Sequence, residues 1–562
     1  MSIKKSRFVL IVLVLAMLVT MFAGCGKTEE TPAVPEKETE TSAPAASEEK
    51  AEDAESESSG RVGGQLVYGY LTEPNRLNPI VGISQPDREV PTTFVLEGLM
   101  YINPETNAAE PWLATAVDIS EDELEFVFTL REGVKWHDGE DFTAEDVKFT
   151  FDAILDPDVG STVYGDFQAI EEVSVVDDYT VKFKLKEVNA PFLSMMTFPI
   201  VPEHVLAGQD MATAEFNNAP IGTGPFKFEE WQVGSQMSFV ANEDYWLGMP
   251  NLDRVVLRVI NDQSALVAAL MAGDLDMTTL TADVVPMVES TEGLKIIQAD
   301  PSWTIDLWMN GKHAPLNDKA VRQAIAYAVD REKFVATICE GQGYVPYSYL
   351  PPSSWAYNSD VEPKYTYDPE MAKSLLEEAG YTLGSDGIYE KDGVKLVIEM
   401  TWPTGDSVRE ACGQYIQSEL SKIGISVDLR SMDTPSWIAT WENDFTSCLV
   451  GVSRTYDPEF SKMFQQGGAW NNYIGYYNEE AERVQNEALS TTDRETRKAL
   501  YYELQDILAE DLPVFQVYNP YKMLGAKEGL NLGDPIFVGQ RNNRVFGTSG
   551  WTLMPHEWGW TE

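Results

Sequence analysis

Strands and helices alternate along most of this chain, and that alternation limits the fold more than any other feature. Val255-Val256-Leu257-Arg258-Val259-Ile260 is an apolar, β-branched run that reads as a strand. Gln263 to Met271 follows, with Leu266, Val267 and Leu270 at helical spacing. Strands alternating with helices predict α/β lobes rather than an all-β or all-α body. With 562 residues the chain exceeds what one hydrophobic core normally spans, so two or three lobes are expected. No repeat of fixed period interrupts the pattern. Apolar residues make up 43% of the chain, enough to build a packed interior. The net charge of −49 excludes a nucleic-acid role, which needs clustered Lys and Arg, and favours cationic or neutral partners.

The first 24 residues are not expected in the fold. Lys4, Lys5 and Arg7 precede an apolar run from Phe8 to Phe22, the charge-then-apolar order of an export signal. The run is shorter than the roughly 20 residues a membrane-spanning helix needs. It ends in Phe22-Ala23-Gly24-Cys25, which resembles a bacterial lipobox with Phe22 where Leu is usual. Cys25 is therefore expected to carry lipid and to become the new N-terminus. Residues 25–60 hold mainly Glu, Ser, Thr, Ala and Pro, so they cannot bury enough surface to offset chain entropy. They are expected to form a disordered, self-repelling tether.

The densest cluster of chemical groups is LREGVKWHDGEDFTAEDVKFTFDAIL, residues 130–155. It sets His137 among Asp138, Glu140, Asp141, Glu145 and Asp146, which invites a metal or acid–base interpretation. Local structure explains the residues better. Glu125 to Leu130 alternates as a strand, and Trp136-His137-Asp138-Gly139 is a turn. Thr143 caps a helix, with Asp146 as the acidic end of a capping box. Val147, Phe151 and Ile154 then face a core. A hydrolase using Asp138 and Glu140 loses most of its motivation on this reading. The four histidines are far apart, and Cys339, Cys412 and Cys448 form no CxxC pair, so neither a metal site nor a cofactor is expected. Buried free thiols are the expected state of these cysteines.

LREGVKWHDGEDFTAEDVKFTF also resembles the signature of the large bacterial solute-binding proteins of the dipeptide/oligopeptide/nickel family. Further blocks follow in the family's order: Gly63-Gly64-Gln65-Leu66, Leu77-Asn78-Pro79, Val95-Leu96-Glu97-Gly98-Leu99, Pro111-Trp112, Gly222-Thr223-Gly224-Pro225-Phe226, Asn242 with Tyr245-Trp246, Val321-Arg322-Gln323-Ala324-Ile325, and Asp511-Leu512-Pro513. The resemblance implies a three-lobed α/β fold of the periplasmic-binding-protein kind (type II, cluster C), with a ligand cleft between lobes I and III. Carried over, lobe I is 61–105, 219–310 and 525–562, lobe II is 106–218 and lobe III is 311–524. It implies a monomeric receptor for an ABC permease and its ATPase subunits, held on the outer face of the cell membrane by lipid alone. A peptide is the default ligand; oligosaccharides, nickel chelates and other small solutes are the alternatives within the family. An adhesion or structural surface role is set aside because the matching blocks span nearly the whole exported body.

Three places resemble the family's pocket. The first is the loop before Val95, Gln85 to Glu89, with Arg88. The second is the strand end carrying Trp402, Thr404 and Asp406. The third is Val450 to Pro458, with Gly451, Arg454, Tyr456 and Asp457. Peptide binders of the family place an Asp in the third segment to hold the ligand's ammonium group. Here that position is Arg454, or Thr455 if one residue is deleted, and neither is an acid. An Arg there suits a carboxylate. Trp303 and Trp308 are expected in core or inter-lobe packing.

Overall fold

The first strand, β1 (Gln65–Tyr70), is followed by helix α1 (Gln85–Phe94) in the computed structural model, which describes residues 63–561 except 104–105, 107, 300–302, 353, 360–363, 443–444, 454–456, 459, 469 and 534–553. The expected signal segment, Cys25 and the acidic tether lie outside the described residues. Residues 85–89, expected as a loop, are the first turns of α1. The reason is local. Ser84 and Asp87 form a capping box, with Asp87 Oδ2 accepting from the Ser84 N–H at 3.2 Å, and Pro86 fits the first turn.

The chain then builds a four-stranded antiparallel sheet from β2 (Ala114–Ile119), β3 (Glu125–Leu130), β4 (Ile170–Asp177) and β5 (Thr180–Leu185), in the order β2-β3-β5-β4. Helix α2 (Ala144–Leu155) covers one face, with Val147, Phe151 and Ile154 buried as their spacing predicts. Phe151 meets Phe183 of β5 edge-on at 5.0 Å between ring centres.

Next come β6 (Phe226–Gln232), β7 (Gln236–Ala241), β8 (Arg254–Val259), α3 (Gln263–Met271), β9 (Met277–Leu280) and β10 (Leu294–Ala299). The chain crosses to a second large sheet through β11 (Trp303–Met309), α4 (Lys319–Ala328), β12 (Gly343–Tyr344), β13 (Val397–Pro403), α5 (Ser407–Ser421), β14 (Ser426–Met432), α6 (Thr434–Glu442), β15 (Ser447–Ser453), α7 (Arg494–Asp511) and β16 (Val514–Pro520). It returns in β17 (Lys522–Lys527). The first sheet has seven strands in the order β10-β17-β9-β1-β8-β7-β6, and the second has six in the order β12-β16-β11-β15-β13-β14. Strand β1 runs parallel to β8 and β9, and β13 runs parallel to β14 and β15.

The chain leaves the seven-stranded sheet after β10 and returns to it after β16, from Pro520 to Lys522. Strand β11 pairs with β15 and β16, so it belongs to the six-stranded sheet. Strand β17 pairs with β9 and β10, so it belongs to the seven-stranded one. Both large sheets are covered on both faces. Ile305 and Leu307 of β11 pack on one side with Val321 and Ile325 of α4, while Trp308 packs on the other. One core runs from β1 and α1 into the four-stranded sheet, and α3 seals the opposite face of the seven-stranded sheet. Among the described residues, no helix is long and apolar enough to cross a membrane.

Candidate functional site

Ligands of open α/β sheets bind beyond the carboxyl ends of parallel strands. In the seven-stranded sheet that edge carries Tyr70 of β1, Leu280 of β9 and, because β17 runs antiparallel, Lys522 at its start. In the six-stranded sheet it carries Pro403, Met432 and Ser453, with Trp303 at the start of antiparallel β11. Both crossing segments join these same two edges. The space beyond these two edges is the candidate ligand crevice.

The sequence-predicted residues separate on this frame. Gly451 lies near the end of β15, where a Cβ would come within 2.4 Å of Trp303 and 2.5 Å of the Arg409 guanidinium. Only Gly leaves room for both groups. Thr404 is exposed in the turn after β13, its N–H donating to the Met432 carbonyl at 2.7 Å. Asp406 is the N-cap of α5, accepting from the Arg409 N–H at 2.9 Å. Trp402 is 5% exposed and packs in the core against Gly413, so the strand-end aromatic is an interior residue. Arg88 turns toward the four-stranded body, donating to the Gly82 carbonyl at 3.0 Å and Thr162 Oγ1 at 3.3 Å. Asp457 forms a two-point pair with Arg497, at 2.7 and 2.5 Å. Arg454 and Tyr456 lie outside the described residues.

Arg409 was not legible in the sequence. It sits in the first turn of α5, where nothing distinguishes it from a surface helix residue. The fold brings it under Gly451, with its Nη1 3.3 Å from Asp406 and its guanidinium 5.6 Å from the Trp437 ring centre. Its side chain is 13% exposed, and among the described residues its buried Nε has no hydrogen-bond partner. Burial lowers its pKa, partly offset by Asp406. A guanidinium beside an aromatic ring suits a planar anion such as a carboxylate. The six-stranded edge thus presents Arg409, Trp303, Gly451 and Thr404 together.

The His137 cluster has a different task. His137 Nδ1 accepts from the Gly222 N–H at 3.2 Å, and Nε2 donates to the Gly224 carbonyl at 2.9 Å. Asp146 accepts from the Thr143 N–H at 2.9 Å and the Trp136 Nε1 at 3.2 Å, and Asp138 pairs with His204 at 2.9 Å. Each group is a structural latch. Burial pushes the His137 pKa down to about 4. A depressed histidine contributes stability above its ordinary pKa of about 6.5, and that contribution is lost as pH falls from 6.5 to about 4. The upper bound is about 3 kcal/mol. His137→Gln keeps both hydrogen bonds without titrating. Urea midpoints at pH 7.5 and 4.5 are expected to differ less in this variant than in wild type; equal acid sensitivity contradicts the latch.

The comparisons agree with this architecture. Residues 108–473 match the model of bacterial extracellular solute-binding proteins, family 5 (middle). The chain belongs to that family. It is 32% identical over 487 residues to oligopeptide-binding protein AppA of Bacillus subtilis, covering 83% of this chain and 88% of that one. The solved structure of Bacillus subtilis AppA with a nonapeptide superposes with a TM-score of 0.73 at 30% identity, covering 89% of this chain and 99% of AppA. NikZ from Campylobacter jejuni with Ni(L-His) gives 0.76 at 30%, covering 88% and 99%.

Several blocks of this family 5 chain that resembled the family converge on one buried carboxylate. Glu97 accepts from Trp112 Nε1 at 2.7 Å, Tyr245 OH at 2.8 Å, Trp246 Nε1 at 3.1 Å and Thr223 Oγ1 at 2.7 Å. Burial raises its pKa against these hydrogen bonds. Gly222 and Gly224 press on Val95, where a Cβ would meet its carbonyl oxygen at 1.7 and 2.7 Å. These blocks therefore hold the scaffold together rather than line the crevice. Cys339, Cys412 and Cys448 are buried free thiols, and burial pushes the Cys339 pKa up to about 11. Among the described residues, no group of three His, Cys, Asp or Glu is placed to hold a metal.

Proposed function

We propose that this chain is the extracytoplasmic receptor of an ABC importer, capturing a peptide in the crevice between its two large sheets and delivering it to the permease. Three lobes carry the action: lobe I is the seven-stranded body, lobe II the four-stranded one, and lobe III the six-stranded one. Ligand contacts to both edges favour the closed arrangement, and the crossing from Pro520 to Lys522 acts as a hinge. One observation carries this reading: both crossings join the ligand-type edges of the two sheets. The likeness to peptide-bound AppA supports a peptide; the likeness to NikZ makes a nickel–amino acid chelate the second reading.

The receptor works as a monomer and does no chemistry on its ligand. Incubation with a defined peptide mixture, followed by native mass spectrometry, is expected to show one intact peptide per protein. Steady appearance of cleaved products overturns the reading, and a captured mass carrying nickel selects the alternative.

Cys25 holds the body to the membrane through lipid, and residues 26–60 set its reach. Cys25→Ala is expected to release the protein into the soluble fraction; unchanged sedimentation with membranes contradicts the anchor.

A further inference from the structure

The four-stranded lobe II touches lobe III directly, and hinge motion decides whether it does. Lobe II is joined in sequence to the seven-stranded body on both sides, by β1 and β6, and shares one continuous core with it. The two therefore move together. Lobe III has cores of its own. A contact between lobe II and lobe III thus lies across the interface that the hinge from Pro520 to Lys522 opens and shuts.

Three loops on the lobe II side make this contact. In the turn between β2 and β3, Glu123 accepts from Thr492 Oγ1 at 2.7 Å and from the Thr492 N–H at 3.2 Å. In the loop after β5, the Ala190 N–H donates to the Leu489 carbonyl at 3.3 Å. In the short hairpin that pairs Met100–Ile102 with Ala109–Pro111, the Thr106 carbonyl accepts from Arg494 Nη2 at 2.8 Å, and Ile102 packs against Trp355. The receiving surface is one corner of lobe III. It comprises the connection from the helix Glu479–Leu489 into α7, together with Trp355, over which Arg494 lies at 5.0 Å.

That corner adjoins the crevice. One turn along α7, Arg497 holds Asp457, which follows the ligand-type end of β15 at Ser453. The joint is small and polar, its two main partners, Glu123 and Thr492, both half-buried. Interfaces of that kind within a chain permit relative motion. Glu123 also carries a left-handed backbone, with φ at 56°, which a residue with a side chain adopts at a cost. A glycine makes such a turn more easily. What Glu adds there is the carboxylate that reaches Thr492.

We propose that lobe II is a third jaw: once a ligand is enclosed, Glu123 latches onto Thr492 and holds lobe III shut. This rests on the peptide-capture reading and adds to it what keeps the closed state closed. The latch contributes only in the closed arrangement, so it strengthens retention without touching the ligand.

The test titrates the full chain with an equimolar mixture of tetrapeptides and reads capture by native mass spectrometry, alongside melting without peptide. Glu123→Gly removes the carboxylate and suits the left-handed turn. It is expected to raise the half-saturating peptide concentration about tenfold, as for loss of one charged hydrogen bond. Thr492→Val, which keeps the N–H, is expected to raise it about threefold, and the double variant no more than Glu123→Gly alone. Without peptide, neither single variant is expected to melt more than about 2 °C below wild type. Unchanged half-saturation in Glu123→Gly overturns the latch while leaving peptide capture intact. So does a lower ligand-free melting temperature with affinity kept, which makes the contact a fixed brace. If wild type captures none of the tetrapeptides, peptide capture falls and this inference with it. Should Glu123→Gly not fold, Thr492→Val decides by the same readings.

Discussion

Replacing Glu97 by Ala is expected to lower the melting temperature of this protein by about 4 °C. Four donors from three separate segments end on this carboxylate: Trp112, Thr223, and the neighbours Tyr245 and Trp246. Removing the acceptor strands them, Thr223 and Tyr245 in a buried site and the two tryptophans in a half-buried one. Each buried orphan costs about 1–3 kcal/mol, not additively, so a total of about 4 kcal/mol is a fair expectation. For a body of this size that is about 1 °C per kcal/mol. Arg131 stacks over Trp246 at 4.3 Å and keeps the ring in place, so the site has little freedom to collapse. Glu97→Gln retains one good acceptor and is expected to fall between. Circular dichroism melts check both; a Glu97→Ala melt within 2 °C of wild type contradicts the hub.

Asp457→Ala is expected to cost about 3–5 kcal/mol of stability, because it leaves the Arg497 charge buried without its carboxylate. The Arg497 side chain is 5% exposed, and its ring neighbours Trp355 and Tyr501 hold it where it is. Its Nε still donates to the Ala488 carbonyl at 2.9 Å, which satisfies a proton but not the charge. The double variant Asp457→Ala with Arg497→Met removes charge and partner together, and is expected to lose less than Asp457→Ala alone. Urea unfolding followed by tryptophan fluorescence measures the difference. If Asp457→Ala keeps its stability but loses peptide capture, Asp457 returns to the ligand site.

Much of the fold was legible because its cues are local. The strand Glu125–Leu130, the cap at Thr143 and the helix face of Val147, Phe151 and Ile154 all stand where their patterns place them. The start of α1 was equally readable. Ser84-Gln85-Pro86-Asp87 carries a capping box and an early Pro, but the family pattern drew it as a loop. Long-range strand pairing was not readable. A run such as Trp303–Met309 declares itself a strand, while its partners, Ser447–Ser453 and Val514–Pro520, lie more than a hundred residues away.

The site was less legible than the fold for the same reason. Asp457 looks available until Arg497, forty residues on, is folded against it. Trp402 looks like a wall until Gly413 opens a place for it in the core. Arg409 looks like an ordinary helix cation, and only the fold brings it under Gly451 and beside Trp437. Motif blocks such as the one around Thr223 identify the family through its scaffold, so they say little about the guest.

Solution scattering addresses the central claim most directly. The protein is measured alone, then with a saturating peptide identified by native mass spectrometry, at matched concentration. The account predicts a smaller radius of gyration with peptide, at unchanged monomer mass, because the two sheet edges draw together around it. An identical profile at proven saturation means the crevice does not close, and a hinged receptor is then the wrong description.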